Sequence, residues 1–191
     1  MTEFSMRPAS PADAEAIAAI YAPIVRDTAI AFEMVPPSAE EMSRRIEKTL
    51  QTYPWLVATK AGAVAGYVYA GEHMQRPAYR WSVNVTAYVA QTARGQGVGR
   101  SLYEVLLEML TAQGFRSAFA GIALPNAPSV ALHEAVGFEA LGVYRDVGYK
   151  LGRWRDVGWW RRSLHQVDGP PEEPTPFPRF RETSAFRALL G

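Results

Sequence analysis

Apolar residues recur along this chain in two periods, and the switches between them divide it into elements. In residues 10–25, SPADAEAIAAIYAPIV, the positions Ile17, Ile20, Tyr21 and Ile24 fall three or four apart and predict one face of a helix. Ser10, Pro11 and Asp13 mark its start: a side-chain oxygen for the cap, a proline where no amide hydrogen is needed, and a carboxylate in the first turn. Residues 38–50, SAEEMSRRIEKTL, repeat the pattern, with Ser38 as cap, Glu41 three residues on, and Met42, Ile46 and Leu50 as the stripe. Between them DTAIAFEMVPP is apolar without a period, which predicts a loop or a short strand closed by Pro36 and Pro37.

The period then shortens. PWLVAT and AVAGYVYA flank Lys60-Ala61-Gly62 and predict a hairpin. YRWSVNVTAYV alternates over its whole length and predicts a third, long strand. VGRSLYEVLLEMLTAQG returns to the helical period, with Leu102, Val105, Leu106, Met109 and Leu110 inward and Gly114 as the stop. RSAFAGIAL predicts a strand. NAPSVALHEAVGF predicts a short helix capped by Asn126 and ended by Gly137. Residues 139–164 predict two closing strands around a glycine-rich turn, Tyr144 in one of them and the aromatics of GRWRDVGWW turned inward. The order α-α-β-β-β-α-β-α-β-β sets a strand–helix–strand unit inside an antiparallel run, so an α/β fold with a mixed sheet and helices on both faces is expected. Residues 166–191 are rich in proline and lack a long apolar period before AFRALL, and form an extension that either packs along the surface or stays mobile.

Composition narrows the function classes. A chain of 191 residues suits one domain with a tail, here 1–165 and 166–191. The net charge of +1 gives no global pull toward nucleic acid or membrane, and the arginines and tryptophans of residues 152–160 are expected to pack rather than to bind nucleic acid. With no cysteine there is no disulfide, thiolate metal site or cysteine nucleophile, and no metal is expected. The N-terminal residues do not resemble a signal peptide and no run approaches a membrane span, so a cytoplasmic location is expected.

The candidate chemistry lies in RGQGVG, residues 94–99, between the third strand and its helix. A Walker loop requires Gly-Lys-Ser/Thr, but Arg100 and Ser101 follow Gly99. A Rossmann fingerprint from Gly95 places Arg100 where its third glycine belongs. What remains is a turn that presents successive N–H groups at a positive helix end, suited to a pyrophosphate. The other reading of the same residues is a tight turn with no ligand.

Together with AIYAPIV, TAIAFE, YPWLVA, GYVYA, AYRWSVNVTAYV, LPNAPSVALHEAVGF and VGYKLGRW, this loop resembles the GNAT superfamily of N-acetyltransferases, and within it the phosphinothricin (methionine sulfone or sulfoximine) acetyltransferase-like family, over residues 4–164. The resemblance implies a mostly antiparallel sheet with a splayed parallel strand pair. It implies acetyl-CoA as cosubstrate, its pyrophosphate on Arg94, Gly95, Gln96, Gly97, Val98, Gly99, Arg100 and Ser101 and its pantetheine arm along Tyr88 and Val89. Asn126 and Ser129 would touch that arm, although Asn126 reads equally as a plain helix cap. It further implies direct attack by the amine of a small amino-acid-like substrate, and a homodimer.

One position departs from the family pattern. Where relatives carry Thr-Val-Glu, with the glutamate as base, this chain has Ser82-Val83-Asn84. An amide does not take a proton at neutral pH. Three readings stay open: the proton leaves through water, another carboxylate such as Glu33 serves, or catalysis is weak or lost in a protein that still binds CoA. His133 stands where many members place the residue that protonates the CoA thiolate, and reads also as a partly buried helix histidine. Phe32, Glu33, Arg76, Tyr79 and Arg80 border the acceptor pocket by the same resemblance, with one of the two arginines expected to meet a substrate carboxylate. Glu33 reads also as a loop carboxylate paired with an arginine. A peptide or protein acceptor is disfavoured by these aromatic and arginine-rich segments.

Overall fold

The structure is a computed structural model that describes residues 4–165 and 169–190. The expected start of the extension at residue 166 lies outside the described residues, as do residues 1–3 and 191. The elements are β1 (Ser5–Pro8), α1 (Ala14–Asp27), α2 (Ala39–Leu50), β2 (Trp55–Lys60), β3 (Ala63–Glu72), β4 (Ser82–Val89), α3 (Val98–Ala112), β5 (Ser117–Leu124), α4 (Ala127–Ala135), β6 (Glu139–Lys150), β7 (Arg153–Ser163), α5 (Phe177–Phe180) and α6 (Ser184–Leu190). One seven-stranded sheet runs in the order β1-β2-β3-β4-β5-β7-β6. Every neighbouring pair is antiparallel except β4 and β5.

The expected helices and the hairpin at Lys60-Ala61-Gly62 are present, the turn closed by positive φ at Ala61 and Gly62. Ser38 caps α2 by accepting from the Glu41 N–H at 3.1 Å. Asp13 accepts from the Ser10 N–H at 2.8 Å and from Arg7 at 2.6 and 2.8 Å, which ties β1 to the start of α1. The Arg7 pair holds the Asp13 carboxyl below its usual pKa against the opposing effect of burial.

Three expectations need correction. The third strand begins at Ser82, not Tyr79, because Pro77 to Tyr79 form a 3-10 turn that proline initiates. A strand and two short helices lie outside the expected order: β1 is four residues long with no apolar period, and α5 and α6 follow the prolines. The aromatics of the last two strands divide. Trp160 is buried, while Tyr144, Tyr149 and Trp154 are 55–60% exposed, because β6 is an edge strand whose outer face has no cover within the described residues.

The sheet separates two cores. On one face α1 and α2 bury Ile17, Tyr21, Ile24, Met42 and Ile46 against Trp55, Val57 and Tyr67. On the other, α3 buries Leu102, Leu106, Met109 and Leu110 against Leu56, Val68, Val83 and Val85. The segment after the prolines joins this second core. Phe177 and Phe180 are 1% and 2% exposed within it. Their path is fixed by hydrogen bonds from the Phe177 N–H to the Thr52 carbonyl (3.0 Å), from the Thr175 N–H to the Gln113 carbonyl (2.8 Å), and from the Trp81 indole to the Glu172 carbonyl (2.7 Å). Replacing Phe180 with alanine removes a buried ring from the main core. The expected loss is about 3–5 kcal/mol in urea unfolding; an unchanged midpoint would show that this segment contributes nothing to the fold.

Candidate active site

The site begins where β4 and β5 part. They pair at Ser82–Ser117, Val83–Ala118 and Asn84–Phe119, and then no further. β4 stays bonded to β3 as far as Val89, and β5 to β7 as far as Leu124. Each strand therefore keeps one full edge of hydrogen bonds and opens the other, and the mouth between them is lined by Val85, Thr86, Ala87, Gly121, Ile122 and Ala123.

The opening runs into a groove of 480 Å³ on the α3 side. Its walls bring together Tyr88, Val89, Arg94, Gly95, Gly97, Val98, Gly99, Arg100, Asn126, Ser129 and His133, which the sequence spreads over nearly fifty positions. Gly97 caps α3 at φ 84°, a conformation that side chains with a Cβ rarely adopt, and a Cβ built there meets only open space. The Ser101 N–H makes the first bond of the helix, to the Gly97 carbonyl at 3.0 Å. The N–H groups of Val98, Gly99 and Arg100 have no intrahelical partner and face the groove end with the positive helix pole behind them. Gln96 and Ser101 are not among the walls; Gln96 bonds to Lys60 at 3.1 Å and to the Thr92 carbonyl at 2.8 Å. Free donors at one end and unpaired strand edges at the other fit a pyrophosphate followed by an amide-bearing arm.

Asn126 accepts from the Ser129 N–H at 3.3 Å and so caps α4 while lining the groove. His133, one turn on, is 5% exposed. Its Nδ1 lies 2.7 Å from the Ser129 carbonyl, which can only accept, so Nδ1 carries the hydrogen. Its Nε2 then accepts from the Tyr103 hydroxyl at 2.9 Å. Burial lowers the His133 pKa below its usual value, partly offset by the bond to Ser129, and burial raises that of Tyr103.

The opposite face of the sheet carries a second cavity of 490 Å³, walled by Tyr21, Trp55, Tyr67, Tyr69 and Tyr88 with Glu33 and Arg45 at its rim. Glu33 accepts from Arg45 at 2.8 and 3.2 Å and from the Tyr21 hydroxyl at 3.1 Å. The loop that carries it is fastened from across the sheet. The Lys150 Nζ, on a residue only 4% exposed, donates to the carbonyls of Val25 (2.6 Å), Ala31 (2.6 Å) and Glu33 (2.8 Å). Three accepting carbonyls require three N–H groups, which only the ammonium has. Phe32 closes the same contact against Gly148, where a Cβ would stand 2.3 Å from the ring.

The remaining expected residues sit at the far end of β3. Tyr79 and Arg76 belong to the turn after it and are exposed. Arg80 is ion-paired to Glu173 at 2.5 Å and lies over the Trp81 ring, whereas Arg76 makes no ion pair among the described residues. Asn84 bonds to His73 Nδ1 at 2.9 Å and to the Glu72 carbonyl at 3.3 Å. Arg45, Tyr103, Lys150 and His73 were missed from the sequence. Arg45 and Tyr103 lie on helices whose period marks the apolar stripe alone, and Lys150 and His73 act only through contacts across the sheet.

This geometry, an open parallel pair with a glycine turn at its mouth, defines the class: a family model for an acetyltransferase (GNAT) domain matches residues 6–159, and the chain belongs to that family. Within it the chain is 42% identical over 171 residues to phosphinothricin N-acetyltransferase of Streptomyces viridochromogenes, covering 90% of this chain and 93% of that one. It is 34% identical over 169 residues to the L-methionine sulfoximine/L-methionine sulfone acetyltransferase of Pseudomonas aeruginosa, covering 87% and 98%. The solved structure of a GNAT superfamily phosphinothricin acetyltransferase from Sinorhizobium meliloti in complex with AcCoA superposes with a TM-score of 0.86 at 37% identity, covering 95% of this chain and 100% of that one.

Both the buried Lys150 cation and the buried His133 imidazole have measurable consequences. Lys150→Met leaves buried carbonyls without a donor; it should cost at least about 1–3 kcal/mol in chemical unfolding and speed hydrogen exchange across residues 28–35. Unaltered exchange there would show that the loop holds itself. For His133 the folded pKa lies below the unfolded value of 6.5, so between the two the unfolded chain binds more protons. Its contribution to stability is full above pH 6.5 and is lost as pH falls through that window. The melting temperature of His133→Leu should therefore depend less on pH on the acid side than that of the parent, and parallel curves would refute this.

Proposed function

We propose that this chain is an acetyl-CoA-dependent N-acetyltransferase for small amino-acid-like amines of the phosphinothricin or methionine sulfoximine and sulfone type. The observation that carries this reading is the opening between β4 and β5, which leads to the groove at the N-terminus of α3, while Tyr88 of β4 lines both that groove and the aromatic cavity. When bound, acetyl-CoA supplies the thioester carbonyl that the amine attacks. Arg94, Gly95, Gly97, Val98, Gly99 and Arg100 would hold its pyrophosphate, and the open edge of β4 at Tyr88 and Val89 would take its amide arm, with Asn126 and Ser129 alongside. Holding both reactants in one opening replaces a bimolecular encounter, and the strand N–H groups stabilise developing negative charge.

His133 donates from Nδ1 to the Ser129 carbonyl and accepts at Nε2 from the Tyr103 hydroxyl, so both hydrogens are engaged and the pair holds the groove wall where the thiolate departs. Phe32, Tyr79 and the tyrosine walls border the acceptor. Glu33 is engaged by Arg45 and serves to shape this pocket. Of the two expected arginines Arg76 is the one available to a substrate carboxylate, since Arg80 is held by Glu173. The exposed apolar positions Leu141, Val143, Tyr144, Val147, Tyr149 and Trp154 support a homodimer across the β6 and β7 face. A cytoplasmic enzyme, where acetyl-CoA is formed, completes the reading. Loss of catalysis through Asn84 is the weaker alternative, because relatives at 34–42% identity are named as acetyltransferases.

Release of CoA from acetyl-CoA should saturate with phosphinothricin, methionine sulfone or methionine sulfoximine. Gly97→Val, which forces a Cβ into a positive-φ position at the helix end, should raise KM for acetyl-CoA by about tenfold or more, the cost of 1.4 kcal/mol. Tight acetyl-CoA binding with no turnover on any amine would sink the proposal.

A further inference from the structure

We propose that His73 accepts the proton of the attacking amine and that Asn84 holds it in the working tautomer. This rests on the acetyltransferase reading and supplies the group that Asn84 itself is not. The amide of Asn84 is oriented by its two partners. Its Nδ2 donates to the Glu72 carbonyl at 3.3 Å, so its Oδ1 is the atom 2.9 Å from His73 Nδ1. An amide oxygen only accepts; Nδ1 therefore carries the hydrogen, and in the neutral form of the ring the lone pair is on Nε2.

The place is right as well as the tautomer. Asn84 faces Gly71 of β3 and Phe119 of β5 on the last rung before the strands part. The imidazole lies flat on Phe119, with ring centroids 4.1 Å apart and planes 13° from parallel. The rings of Tyr79 and Trp159 stand edge-on to it, each with its centroid at 6.2 Å. Stacking and the Nδ1 bond leave the ring no freedom about its own plane. It forms one wall of a 330 Å³ recess with Phe119, Leu141, Tyr144 and Trp159, on the sheet face opposite α3. The charged or titratable groups around it are Glu72 beside it in the chain, Tyr79 of the following turn, Tyr144 of β6 and Arg161 of β7. Arg161 is in register with Phe119 and turned to Ser117 at 3.1 Å. Glu33, the other candidate acceptor, has its oxygens on Arg45 and Tyr21.

The balance is as follows. The ammonium of the substrate gives one proton to His73 Nε2 and its freed lone pair forms the N–C bond to the thioester carbonyl. The C–S bond breaks, the nitrogen loses a second proton, and the leaving sulfur takes one. The imidazolium then returns its proton to water, so the sum is amide, CoA thiol and one released proton.

The test is kcat/KM against pH for the full chain, with acetyl-CoA and whichever phosphinothricin-type amine the parent turns over. The parent should lose activity on the acid side as one imidazole is protonated. His73→Gln should lower kcat by about 10²–10⁴-fold and erase that acid limb. Acetyl-CoA should still bind, which shows that the variant is folded. Asn84→Glu placed in His73→Gln should restore part of the rate by returning a carboxylate to the same rung. An active parent whose His73→Gln variant keeps both rate and acid limb overturns this assignment alone. A parent that binds acetyl-CoA and turns over no amine overturns the transferase reading and this assignment with it.

Discussion

The structure depends on two parallel strands that stop pairing after three rungs. Unpaired backbone inside a sheet is costly unless something else meets it, because each N–H and C=O that leaves water needs a partner. Here the cost is confined. β4 is fully bonded to β3 and β5 to β7, so neither strand frays when the edges between them open. The gap is held open by the sheet rather than by a loop. The same parting sends α3 and α4 away from adjacent strand ends, and both helix N-termini therefore look into one groove. A ligand with anionic phosphates and an amide chain answers the two unmet needs at once, donors at the helix end and pairing groups along the strands.

On the opposite face of the sheet the protein uses longer-range ties. Lys150 reaches from the end of β6 to the end of α1 and to the loop beyond it, gathering three carbonyls that the loop geometry alone leaves unpaired. Phe32 fits against Gly148 on the same strand. The loop with Glu33 is thus positioned by the far edge of the sheet, which is also the exposed apolar edge. Any partner bound on β6 would bear directly on the loop that carries Glu33 through these two contacts.

Much of this was legible in sequence where the determinant is local. The stripe Met42, Ile46 and Leu50 defines α2, the Lys60-Ala61-Gly62 turn defines the hairpin, and Gly95 and Gly97 mark the cradle before α3. The groove residues Asn126, Ser129 and His133 followed from resemblance and fall together in space. The illegible parts share a different cause. β1 has four residues and exists because β2 offers it an edge. Phe177 and Phe180 sit among prolines, and only the space beside α3 makes them core. Lys150 reads as a surface lysine in a turn, and His73 as one polar residue at a strand end. Their roles lie in contacts with residues 11 to 125 positions away, which no period records.

Asn84, where the resemblance implies a glutamate, changes more than the base. A carboxylate at the last rung attracts the substrate as its ammonium, and that attraction must be undone before the nitrogen can attack. Interactions made in the ground state and lost in the transition state do not raise kcat. A neutral amide offers no such charge. On the assignment proposed for His73, the imidazole becomes cationic only as it takes the proton, while the thioester oxygen gains negative charge. The new imidazolium therefore favours the transition state over the bound substrate. The arrangement gives up ground-state affinity for the amine, which must come instead from the aromatic walls and from an arginine on the substrate's carboxylate. Those are the features that line the cavity and the turn on this face.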